Sequence, residues 1–100
     1  MGISITGMSS APPSATAIGN LGKHLAHTLS SSEWREIADL FDGTFADVAS
    51  IPPRDAARIG DLLHKAAGHR LMPGEWRTLA AEMGTAAQQT ARAGRNWEWR

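Results

Sequence analysis

Cysteine is absent from the 100-residue chain, which excludes a disulfide framework and thiolate chemistry and fits a reducing compartment. Long apolar runs are missing as well. No stretch approaches the roughly 18 apolar residues a membrane span needs. The opening MGISITGMSSAPPSATA has neither the basic flank nor the apolar run of a secretory signal, so the expected location is the cytoplasm, with no membrane partner. Lysine is scarce: two Lys stand against eight Arg, beside seventeen Ala and ten Gly, a bias suggesting a GC-rich genome such as that of an actinobacterium, its phage or its plasmid. Catalytic signatures are missing too. There is no nucleophile elbow, no Gly-rich phosphate loop and no His-Glu-x-x-His pair. The carboxylates are scattered, with none paired in the apolar setting that acid–base catalysis requires. The expectation is no enzyme activity, no catalytic residue and no cofactor.

Formal net charge is zero, but the charges are unevenly spread. Residues 1–50 carry two basic and five acidic groups, and residues 51–100 carry eight basic and five acidic groups. Oppositely charged halves attract one another or present two faces to a partner, and mutual attraction is the simpler outcome.

What is present reads as helix. Ile18, Leu21, Leu25 and Leu29 recur at three- and four-residue spacing, one apolar stripe. Ser30 with Glu33 three residues later forms a capping box that opens a second helix, with Trp34, Ile37, Ala38 and Phe41 on one face and Asp42-Gly43 at its end. Phe45, Val48 and Ile51 cross a connecting loop. Pro52-Pro53 starts a third helix with Ala56, Ile59, Leu62, Leu63 and Ala66 as its stripe, ending at Gly68. Pro73 opens a fourth, with Trp76, Leu79, Ala80, Met83, Ala87 and Ala91 along one side, stopping near Gly94. Ile3 and Ile5 near one end, and Trp97 and Trp99 near the other, alternate as short strands do.

SSSEWREIADLF at 30–41 is echoed by MPGEWRTLAAEM at 72–83. Residues 21–41 and 63–83, aligned at an offset of 42, share eight identities in 21 positions, among them Leu29/Leu71, Glu33/Glu75 and Trp34/Trp76. A helical hairpin alone does not bury its stripe, whereas two packed copies do. The expected fold is therefore mostly α, one domain of four helices arranged as two duplicated hairpins. Residues 1–13 form an N-terminal strand and linker, 14–43 hairpin 1, 52–93 hairpin 2 and 95–100 a C-terminal strand. A short two-stranded ribbon pairs the N- and C-termini. Trp34 and Trp76 are expected in the centre or against the opposite hairpin.

The runs LGKHLAHTLSSSEWREIADLFDG, IPPRDAARIGDLLHKAAGHRLMPGEW and ARAGRNWEWR resemble an uncharacterised family of small actinobacterial proteins over roughly four-fifths of the chain. That resemblance implies no activity, ligand or site residue.

His24 and His27, three apart on one helix, and His64 and His69 on another, have the spacing of shared metal ligands. The repeat, however, sets His24 opposite Ala66, and a histidine near a helix C-terminus more often serves the last carbonyls; no metal site is expected. Tryptophan and arginine dominate binding hot spots. The expected function is therefore non-catalytic protein binding, in a regulatory or accessory role. The binding surface would combine Arg95, Trp97, Trp99 and Arg100 with Arg54 and Arg58, and its partner would be another protein or a second copy in a homodimer. For the two indoles themselves, folding onto the helices is favoured over an exposed edge for self-association or a partner. The alternative function is a small DNA-binding regulator using the third helix through Arg54 and Arg58.

Overall fold

The computed structural model describes residues 3–8, 12–41 and 49–100. The expected helix stop at Asp42-Gly43, the loop residues Phe45 and Val48, and Ser9, Ser10 and Ala11 of the first linker lie outside the described residues. The elements run α1 (Ala15–Thr28), α2 (Ser31–Phe41), β1 (Ala49–Ile51), α3 (Pro53–Ala67), α4 (Gly74–Arg92) and β2 (Trp97–Trp99). The fold is mostly helical, with a short antiparallel sheet near the termini. Among the described residues no helix is long and apolar enough to cross a membrane.

Local chemistry sets the helix ends. The Ser14 hydroxyl accepts from the Ala17 amide at 3.0 Å and starts α1. Only Leu29 and Ser30 separate α1 from α2. There the capping box closes in both directions: the Glu33 amide donates to Ser30 Oγ at 3.2 Å, and the Ser30 amide donates to Glu33 Oε1 at 3.0 Å. Pro53 occupies the first turn of α3, where its missing amide hydrogen is not needed. Helix α4 ends on Gly94 with φ of 71°, and the Arg95 amide reaches back to the Thr90 carbonyl at 3.1 Å. This left-handed turn satisfies carbonyls that the helix leaves open.

The helices bury one stripe each, as their periodicity requires. Ile18, Leu21 and Leu25 of α1 meet Ile37 and Phe41 of α2, the Ala56, Ile59, Leu62, Leu63 and Ala66 stripe of α3, and Ala80, Met83 and Ala87 of α4 in one core. Helices α3 and α4 approach closely where Gly60 faces Gly84. A Cβ on Gly60 would stand 2.9 Å from the Gly84 carbonyl oxygen, and one on Gly84 would stand 3.1 Å from that of Gly60. Gly22 serves the first hairpin in a different way, since a Cβ there would overlap the Phe41 carbonyl. Helix α2 also touches α3, α4 touches α1, and the two first helices, α1 and α3, touch each other.

The sheet is organised around β2. On one side it pairs antiparallel with β1, with Ala49 opposite Trp99, Ser50 opposite Glu98 and Ile51 opposite Trp97. On its other side Ile5 bridges Trp99, and the Ser4 and Arg100 backbones exchange hydrogen bonds of 2.8 and 2.7 Å. The expected pairing of the chain's two ends is present as this bridge. The segment Ala49–Ile51, read from sequence as part of a loop, is instead a strand. Three residues before Pro52 are too few to display an alternation.

Trp34 and Trp76 do not share a fate. Both are half-buried at the core's margin. Trp76 stacks on His24 of the opposite hairpin, ring centres 5.8 Å apart and tilted by 32°, whereas Trp34 lines a groove between α1 and α2 of its own hairpin. Leu29 and Leu71, 42 positions apart, differ more sharply: Leu29 is buried and Leu71 is 63% exposed.

Candidate functional site

The six residues expected to form a binding surface meet different surroundings. Trp97 and Trp99 are fully buried. Their rings meet edge to face at 5.3 Å, Trp99 meets Phe41 in the same way at 5.5 Å, and Trp97 Nε1 donates to the Thr6 carbonyl at 2.9 Å. The tail therefore takes the favoured course of closing the core, and the binding surface built on it loses its aromatic centre. Both indoles fall on the same side of β2, and that side faces the helices. Arg100 is exposed, 3.2 Å from Glu98 Oε1.

Arg58 is engaged as well. Its Nε and Nη2 donate to the two oxygens of Glu36 on α2, both at 3.0 Å. Lys65 of α3 pairs with Glu33 of α2. The acidic first half and the basic second half thus meet at the α2–α3 contact, the mutual attraction expected from their charges. The Lys65 ammonium, with the Ser30 amide behind it, lowers the Glu33 carboxyl from its ordinary 4.5 to about 2. Hydrogen bonding to Arg58 lowers Glu36, and Glu36 in turn raises Arg58.

Arg54 remains. It lies in the first turn of α3, beside the last turns of antiparallel α4, where a groove of about 420 Å³ runs between the helices. Pro53, Ala57 and Ala91 give it small apolar surfaces, and Arg92 of α4 stands with Arg54 on its lining. Asp61 and Gln88 complete it, the Gln88 amide donating to Asp61 Oδ1 at 2.7 Å. Gln88 lies across α3 because Gly60 has no side chain there; a Cβ would stand 2.5 Å from Gln88 Cγ. Among the described residues neither the Arg54 nor the Arg92 guanidinium has a hydrogen-bond or ion-pair partner, and the same holds for the guanidinium of Arg95, just beyond the end of α4. The sequence did not single out Arg92. An antiparallel pairing of α3 with α4 through the Gly68–Pro73 turn was the signal that would have set it opposite Arg54.

The histidines are occupied separately. His27 Nδ1 lies 2.7 Å from the Lys23 carbonyl, His64 Nε2 sits 3.2 Å from the Ala81 carbonyl and 3.1 Å from Thr85 Oγ1, and His69 Nδ1 accepts from the Leu71 amide at 3.1 Å. Among the described residues no three His, Asp or Glu side chains gather as a metal-binding group. A second groove, of about 450 Å³, runs between α1 and α2 over Gly19, Gly22, Trp34 and Phe41.

A family model described as a domain of unknown function (DUF7739) matches residues 5–100. No curated protein matches the chain, and no solved structure does.

Proposed function

This chain belongs to the DUF7739 family, and from that premise we propose that it is a non-catalytic protein-binding module, a regulatory or accessory protein that docks its partner in the α3–α4 groove. The supporting observation is the pair Arg54 and Arg92: two guanidiniums on neighbouring helices, lining one groove and without a carboxylate partner among the described residues. Arginine is costly to order and is enriched at binding hot spots, so an unpaired pair beside small apolar surfaces suits a docking site. The DNA-binding alternative has less to draw on. Arg58, its second contact, is held by Glu36 through its Nε and Nη2 donors, and the chain as a whole is neutral.

The test is capture by tagged protein from the lysate of a GC-rich actinobacterium, the source its composition suggests, with and without nuclease. A second bait carries Ala57→Phe, which fills the groove without changing its charge. A protein that survives nuclease and is lost with Ala57→Phe supports the reading. Loss of all captured material on nuclease treatment would transfer the function to nucleic acid, and equal capture by both baits would move docking away from the groove.

A further inference from the structure

We infer that the α3–α4 groove receives an acidic, extended peptide segment, its carboxylates held between Arg54 and Arg92. The inference rests on the protein-binding reading above and adds the chemistry of the partner. The groove has two unlike ends. Arg54 and Arg92 lie at one; Asp61, already accepting from Gln88, lies at the other. Seven residues separate Arg54 from Asp61 along α3, roughly 10 Å at 1.5 Å per residue. Between them the surface is Ala57 and Ala91, with Pro53 beside Arg54, small side chains that leave room for an aliphatic group and give it no polar partner.

That order of charges selects a ligand and its direction. A guanidinium binds a carboxylate in a two-pronged fashion that a point charge does not match. A basic segment would face two unpaired arginines and is excluded. A carboxylate at the arginine end, an aliphatic side chain over the alanines, and an amide donor about three residues further along would satisfy every group, since an extended chain advances about 3.3 Å per residue. The acid cannot lie at the opposite end, where Asp61 would repel it.

The test is fluorescence anisotropy with a labelled octapeptide bearing Glu-Asp-Leu-Ala-Asn at its centre. Its Gln-Asn-Leu-Ala-Asn counterpart and a single-stranded oligonucleotide of equal length are run alongside. The proteins are the parent chain, Arg54→Gln with Arg92→Gln, and a control carrying Arg35→Gln with Arg70→Gln, two exposed arginines outside the groove. The expected result is binding of the acidic peptide by parent and control, with a loss of about tenfold or more in the groove variant, in keeping with the strength of paired charge-assisted hydrogen bonds, and no preference of that variant for acid over amide. Equal affinity of all three proteins for the acidic peptide would overturn the inference. So would binding of the oligonucleotide in place of the peptide. If a nuclease-resistant partner is lost with Ala57→Phe yet retained by the groove variant, the acidic ligand is wrong while protein docking stands.

Discussion

Trp99 meets Phe41 and Trp97 edge-on beneath the sheet, and it does so one residue from the chain's last position. Replacing it with alanine removes a fully buried indole and should cost about 3–5 kcal/mol, visible as a lower urea midpoint. Trp34→Ala and Trp76→Ala remove half-buried rings and should each cost about 1–2 kcal/mol, in proportion to the smaller area released. If the two interior indoles prove no more costly than the marginal ones, the placement of the tail is wrong. Helical periodicity told which face Trp34 and Trp76 occupy, but not how deep the neighbour on that face lies. Depth depends on where another helix crosses, and that is why Leu29 and Leu71 diverge.

At the scale of elements, the helices were readable because their signals are local. The Ser30–Glu33 box, Pro53 and Gly94 each act within one turn, and all three serve as their spacing implies. Ser30→Ala should destabilise by about 1 kcal/mol, the usual value of an N-cap, measured by chemical denaturation. Strand β1 was not readable, because its identity comes from β2, far along the chain. The α2–α3 contact makes a prediction in pH. Glu33 and Glu36 are both lowered in the folded chain, so the unfolded chain binds protons more readily. Their stabilisation is therefore full above the ordinary glutamate value and is lost as pH falls, for Glu33 between 4.5 and about 2. Melting temperature should drop through that window, and Glu33→Gln should drop less steeply; an identical slope would dismiss the Lys65 pair as a contributor.

For the whole molecule, the four-helix plan and the joining of the two ends followed from apolar stripes and from alternation at Ile3, Ile5, Trp97 and Trp99. The groove did not. Arg54 and Arg92 become neighbours only when α3 and α4 lie antiparallel, and Gly60 and Gly84 set how near. Gly60→Ala should displace Gln88 from Asp61 and lower stability by about 1–3 kcal/mol through overpacking, with weaker groove binding read in the same anisotropy assay.

The sheet's placement of its middle strand also dictates a sequence of events in time. The bond from Trp97 to Thr6 spans 91 positions and that from Asn96 to Ser50 spans 46, whereas α3 and α4 are joined by a short turn. Closing such distant loops is slow relative to forming adjacent helices. After dilution from denaturant, far-ultraviolet ellipticity should recover ahead of the fluorescence change that reports burial of Trp97 and Trp99. A chain caught in that interval would carry its indoles in water, and self-association should then be at its greatest.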